Sequence, residues 1–186
     1  PYTEAALRRV KGHLSDKTLV LRFQNGMGAL DVILPAGTAV LEAITTSAVK
    51  GQSPQHTIVA ENTTWLGGTQ QQPQWLKGLQ CHWPDLHWEA DIRFVQWKKL
   101  VANAVINPLT ALHDVPNGAV VDDPALQQEA HALCAEADTL LTALDSRWPG
   151  HSFSAVLQVA RATAGNTSSM RADRQRGATT EIEAIN

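Results

Sequence analysis

Residues 97–118 read WKKLVANAVINPLTALHDVPNG, and their pattern sets the expectation for the second half of the chain. Lys99, Asn103 and Asn107 recur at i, i+4 and i+8, which on an α-helix places them in one row. Trp97, Leu100, Val101, Ala102, Ala104, Val105 and Ile106 surround that row, so the helix is apolar nearly all round with one narrow polar seam. A helix of that kind belongs inside a domain. A buried carboxamide without a partner costs about 1–3 kcal/mol, and a buried ammonium costs more. The seam therefore needs partners, supplied either by neighbouring backbone or by a polar ligand, and the pattern alone leaves both open. Pro108 disfavours helix at Asn107 and removes a backbone donor, which predicts a helix break there and a cleft beside it.

Downstream the chain reads as all-helical, with helices expected over 92–106, 108–113, 123–145, 152–165 and 168–177 and another starting at 179. Asp123 followed by Pro124 is a helix opening. Asn117-Gly118 makes a turn, and Trp148-Pro149-Gly150 breaks the 123–145 helix. Upstream, 3–14 is an amphipathic helix with Ala6, Leu7, Val10 and Leu14 on one face and Thr3 as its N-cap. TLVLRF (18–23) is a continuous apolar run, the signature of a strand buried on both faces of a parallel sheet. It leads into Gln24-Asn25-Gly26-Met27-Gly28. Ligands bind beyond the carboxyl ends of parallel strands, which makes Asn25 a ligand-site candidate; a plain Asn-Gly turn is the competing reading. A short helix over 29–34 is closed by Pro35. Runs at 38–49, 55–61 and 63–68 alternate as an antiparallel extension, joined by loops at 51–54 and 61–62. A helix over 74–80 and the segment DLHWEAD follow, with Asp91 as the N-cap of the central helix.

Composition narrows the classes. The 186 residues are 44% hydrophobic and 18% charged, enough for a real core. A net charge of −3 and a sequence pI of 6.2 argue against a nucleic-acid surface. No apolar run approaches the roughly 20 residues of a membrane span. Cys81 and Cys134 lack metal-ligand spacing, so no metal is expected, and two free thiols suit a reduced cytoplasmic protein. The chain starts at Pro1 and stops inside the helical pattern TTEIEAIN, which reads as a piece of a longer protein.

A second constellation lies at 166–186, NTSSMRADRQRGATTEIEAIN. Asn166, Ser168 and Ser169 cluster at a helix start, where hydroxyls and free N–H groups suit a carboxylate or phosphate; for Ser168 an ordinary N-cap explains the position equally well. Glu181 opens the next helix, where any acidic residue is favoured by the helix dipole. Arg171, Arg174 and Arg176 read as a solvated face.

Taken together, WKKLVANAVINPLTAL with PNG, the NTSSM to TEIEAIN segment and QNGMG resemble the ketopantoate reductase (2-dehydropantoate 2-reductase) family, in order and over nearly the whole chain. The resemblance implies a nucleotide-binding α/β domain followed by a helical domain, with NADPH giving a hydride to the keto carbon of ketopantoate. It makes Lys99 the proton donor. Asn103, Asn107 and Asn117 become substrate-binding residues, and the run Asn166, Thr167, Ser168, Ser169 holds the substrate with Ser169 at its carboxylate. Asn25 falls near both nicotinamide and substrate. Glu181 is the acidic residue near cofactor and substrate, counted here as catalytic and cofactor-binding. Hydride addition builds charge on the carbonyl oxygen, so a positioned donor is needed, and a half-buried lysine supplies both proton and positive charge. Lys98 is out of row with the asparagines.

No GxGxxG fingerprint occurs in the sequence; the resemblance places it, with the first strand, upstream, and the last helices of the family downstream. The expected fold is therefore α/β: a partial Rossmann-like nucleotide-binding domain over 1–91, lacking its first βαβ part, then an all-helical C-terminal domain over 92–186. The expected partner is a small 2-keto acid in pantothenate and coenzyme A synthesis, and a homodimer is compatible with this reading. Two rivals stand beside it, a paralogue reducing another 2-keto acid and a non-catalytic ligand-binding protein.

Overall fold

Four short strands of alternating or continuous apolar character build one sheet in the first half. The computed structural model describes residues 3–15, 17–25, 34–35, 37–52, 54–68 and 71–185. Helix α1 (Thr3–Val10) runs into a 3-10 turn, Lys11–His13, before β1 (Leu19–Arg22). Strand β2 (Ala39–Thr45) lies parallel to β1, β5 (Thr64–Gly67) lies antiparallel to β2, and β6 (Leu86–Glu89) lies parallel to β5. The sheet order is β1-β2-β5-β6. Strands β3 (Ala48–Gln52) and β4 (Gln55–Ala60) form a separate antiparallel pair. Leu41, Ala43, Leu66, Leu76 and Leu86 are buried, the last four in one cluster with Leu79, Trp83 and Trp88 packed against it; Leu76 and Leu79 come from α2 (Leu76–Gln80).

Several expectations are corrected here. Among the described residues β1 pairs with β2 and stands at one end of the sheet order; Leu19 and Phe23 are each 39% exposed, and Phe23 stacks on Trp83. Arg22 is 4% exposed because β2 sets its register partner, Glu42, 2.7 Å from its guanidinium. The 38–49 run divides at Thr46-Ser47 into β2 and β3, and Gly51 and Gln52 extend β3 instead of looping. Segment DLHWEAD holds β6, which its lone polar-apolar alternation did not announce. Asp91 is not the residue next to its helix, which begins at Arg93; its carboxylate takes the Arg93 guanidinium at 2.8 and 3.0 Å. The helix expected over 29–34 lies outside the described residues apart from Leu34, as do Gly26, Met27 and Gly28.

The second half is helical. Helix α3 runs unbroken from Arg93 to His113 with Pro108 inside it, so the predicted break at Asn107 does not occur. Proline costs a helix about 3 kcal/mol by removing one ladder hydrogen bond and crowding the preceding turn. The N–H that Pro108 lacks is the one that would meet the Ala104 carbonyl; just beyond it the Thr110 hydroxyl donates to the carbonyls of Ile106 and Asn107 at 2.8 and 3.1 Å. Helices α4 (Ala119–Asp122), α5 (Pro124–Leu144), α6 (Ser152–Ala162), α7 (Ser169–Gln175) and α8 (Ile182–Ile185) follow. Asp123 caps α5 through the N–H of Ala125, as its sequence predicts. Leu126, Ala130, Cys134 and Leu141 of α5 and Val156 and Ala160 of α6 are buried at helical spacing. His151, left-handed at φ 58°, makes no side-chain cap for α6. Asp138 of α5 takes the Ser152 N–H instead at 2.9 Å, and the Trp148 indole at 2.8 Å.

The chain divides into two compact units within the first turn of α3, one holding Trp97–Asn186 with Asn25 and the other the strands and residues up to Gln96. In the strand unit Gly67 faces its parallel partner Glu89, and a Cβ there would overlap the Glu89 carbonyl and lie 2.8 Å from the Ile92 Cβ. Gly67→Ala is therefore expected to destabilise the protein by about 1–3 kcal/mol, read as a lower thermal midpoint by circular dichroism; an unchanged midpoint would refute this packing.

Candidate functional site

The polar row of α3 is the starting point. Lys99 and Asn103 are half-buried and Asn107 is 7% exposed. Among the described residues no hydrogen bond joins the Asn103 or Asn107 carboxamide, and neither is among the unpartnered groups sealed away from water. Two amides of the row thus stand without a hydrogen-bond partner among the described residues. Burial pushes the Lys99 ammonium below the ordinary lysine range, while the carboxylate of Glu181 pulls it part of the way back. Glu181 reaches that range because α8 packs on α3: Ile182 and Leu100, with Ala104, lie against the buried Ala111, Met170 and Ile185. Lys98, next to Lys99 in sequence, is exposed.

Helix α7 is anchored to the C-terminal end of α3. The Arg174 guanidinium donates to the carbonyls of Ala111 and Leu112, Arg171 meets Asp114 at 2.9 Å, and Gln175 meets the same oxygen at 2.8 Å. Arg171 is thus partly buried against Asp114, while Arg174 and Arg176 are exposed as expected; Arg174 also satisfies the last carbonyls of α3, and Arg171 the left-handed Asp114 beyond it. Arg171 and Gln175 also hold the Asp114 carboxyl below its usual range. Arg176 pairs locally with Asp173.

The remaining predicted residues fall into two groups. Asn166, Thr167 and Ser169 are exposed. Ser168 is 5% exposed and inward-facing: it caps α7 by accepting the Arg171 N–H at 3.1 Å and bonds the Thr110 hydroxyl at 2.7 Å. Asn117 is buried as well. Its side chain donates to Thr163 at 3.0 Å, its Oδ1 has no partner among the described residues, and its N–H donates to the Asn166 carbonyl at 3.1 Å. Gly118 beside it donates to Ala164, against which a Cβ would come to 2.9 Å. Asn25 groups with the helical unit. The structure therefore joins Lys99 to Glu181, Thr110 to Ser168 and Asn117 to Asn166. Thr110 and Thr163 were missed by the sequence reading. A threonine two residues beyond a helical proline, able to bond back to the i−4 carbonyl, was the available signal for the first. No group of three metal-ligating side chains occurs among the described residues, and no helix there is long and apolar enough to cross a membrane.

A family model described as the ketopantoate reductase PanE/ApbA C-terminal domain matches residues 91–186, and its companion, ketopantoate reductase PanE/ApbA, matches 2–71. The chain belongs to the ketopantoate reductase family. Among curated relatives, the 2-dehydropantoate 2-reductases of Shigella flexneri and Archaeoglobus fulgidus are each 34% identical, over 97% and 92% of this chain. The chain spans 60% of the length of both. Among solved structures, a probable 2-dehydropantoate 2-reductase of Bacillus subtilis superposes with a TM-score of 0.77 at 26% identity, covering 99% of this chain and 64% of that one. A ketopantoate reductase of Ralstonia eutropha superposes at 0.84 and 21% identity, with 99% and 62% covered, which shows a shared fold.

The Lys99–Glu181 coupling is directly testable. Because the carboxylate opposes desolvation, Glu181→Gln is expected to lower the Lys99 pKa further, read by NMR titration of 13C-methylated lysines against a Lys99→Arg control. An unmoved titration would show that the two groups do not interact.

Proposed function

We propose that this chain carries the substrate side of an NADPH-dependent reductase converting 2-dehydropantoate to pantoate, a step of pantothenate and coenzyme A synthesis in the cytoplasm. The observation that carries the reading is the row on α3: a desolvated lysine with a carboxylate in electrostatic range, followed by two carboxamides that make no hydrogen bond among the described residues. Ketopantoate offers a keto group, a hydroxyl and a carboxylate, one for each kind of group present.

In this reading residues 1–91 form the cofactor side and 92–186 the substrate side. Strands β1 and β2 run parallel and Asn25 follows the carboxyl end of β1, the position at which such sheets take a dinucleotide. Asn25 and Glu181 are the residues of this chain that would meet NADPH, which supplies the hydride when bound. As the keto carbon gains that hydride, its oxygen becomes an alkoxide, and the Lys99 ammonium gives it a proton and leaves as the neutral amine. A lysine with a lowered pKa is a better acid near neutral pH than an exposed one. Glu181 keeps the lysine charged until it is needed and favours its reprotonation from solvent. Asn103 and Asn107 hydrogen-bond the substrate hydroxyl and keto oxygen. Asn166, Thr167 and Ser169 receive the carboxylate, while Asn117 and Ser168, already bonded inside the fold, shape that segment.

A ketopantoate reductase of Staphylococcus aureus is described as dimeric, and a homodimer is the assembly we propose for the native protein. Lys99→Ala in the protein at its full native length is expected to lower kcat for ketopantoate by about 100- to 10,000-fold with KM little changed, followed by NADPH absorbance. Retained kcat would remove Lys99 as the acid. Equal wild-type rates on ketopantoate and on unbranched 2-keto acids would replace the substrate assignment with a broader 2-keto acid reductase.

A further inference from the structure

The buried hydroxyl pair Thr110–Ser168 belongs to no role assigned so far, and its hydrogen-bond directions can be worked out. Thr110 is 0% exposed and Ser168 5%. The Thr110 Oγ1 lies 2.8 Å from the Ile106 carbonyl and 3.1 Å from that of Asn107, and carbonyls only accept. The one Thr110 hydroxyl proton is therefore shared between them. The 2.7 Å contact between the two hydroxyls must then carry the Ser168 proton, with Thr110 accepting. Ser168 in turn accepts the Arg171 N–H. A single directed chain results, from the Arg171 amide through Ser168 and Thr110 into the carbonyls of Ile106 and Asn107.

We propose that Thr110 is a positioning residue that fixes the Asn166–Ser169 segment against Asn107, and so sets the spacing between the amide row and the carboxylate-binding segment. This rests on the substrate site proposed above. The geometry gives the tie its specificity. Its acceptor end includes the carbonyl of Asn107, whose unpartnered side chain belongs to the row. Its donor end is the residue before Ser169. Arg171 and Arg174 hold the rest of α7 to the end of α3, so helix docking does not depend on Thr110 alone. Thr110 acts at the near end of α7, on Ser168, where the segment turns into the helix, while Asn117 holds the segment two residues earlier at Asn166.

The test compares Thr110→Val, which keeps the shape and loses the hydroxyl, with Thr110→Ser, which keeps the hydroxyl and loses the methyl. In the full native-length protein, Thr110→Val is expected to raise KM for the 2-keto acid about tenfold while KM for NADPH stays unchanged, and Thr110→Ser to restore the wild-type value. A keto-acid KM within twofold of wild type in Thr110→Val, or an equal loss in both variants, would overturn the proposal. Hydrogen exchange at the Arg171 amide reads the tie without turnover: faster exchange is expected in Thr110→Val but not in Thr110→Ser, and unchanged protection overturns the proposal. A wild-type protein that reduced no 2-keto acid would instead overturn the reading of the site.

Discussion

Desolvation of one helix face is the constraint on which the helical half depends. Helix α3 is buried along most of its length, yet it carries Lys99, Asn103 and Asn107 in a row and Pro108 in its middle. Each of these works against burial: an ammonium out of water, two amides and a missing N–H. A fold can keep such a helix only if other elements supply what it lacks. They do so unevenly. Thr110 serves the carbonyls around the proline, and Arg174 serves the carbonyls at the helix end. The amides of the row make no hydrogen bond among the described residues. That selectivity is the argument for a ligand: the same helix has its backbone bonded with care and its side-chain row left open.

The elements that complete α3 also build the site. Helix α7 is held to α3 at both of its ends, by Ser168 on Thr110 and by Arg171, Arg174 and Gln175 on the residues from Ala111 to Asp114. With α7 fixed, Met170 sits on Ala111, and Ile182 and Ile185 of the next helix join the same apolar cluster. Glu181 precedes Ile182, so its position opposite Lys99 follows from that packing. Replacing a packing residue of this cluster would be felt at Lys99 through Glu181.

Much of this was legible in the sequence, and what was not has a common cause. The helix row was visible because i, i+4, i+8 spacing is a local property, and Asp123-Pro124 was visible because caps are local. The helix break at Pro108 was a sound local inference that tertiary structure overrules: α3 continues to His113, with Val105, Ile106, Leu109 and Ala111 buried on both sides of the proline. Arg171 looked like a solvent-facing charge because nothing near it in sequence names its partner; that partner is Asp114, just beyond the end of another helix. Strand β6 escaped because it is four residues long and its parallel pairing with β5 is non-local.

The charge on Lys99 sharpens the functional argument. Its folded pKa lies below its unfolded value, with burial as the main cause. A lowered lysine pKa means that the ammonium form is the costly one in the fold. The cost is present in full below the folded pKa and is relieved as pH rises through the folded value toward the unfolded one. Below its folded pKa the fold therefore carries this lysine at a loss of stability, in a row whose two amides make no hydrogen bond among the described residues. Proteins keep such groups where catalysis or binding needs them. Asn103 and Asn107 alone could be relics of packing, and Lys99 alone could be a long side chain reaching for water. In the reading proposed above, a polar substrate whose carbonyl oxygen takes the proton accounts together for the costly ammonium, its opposing carboxylate and the two amides on one helix face.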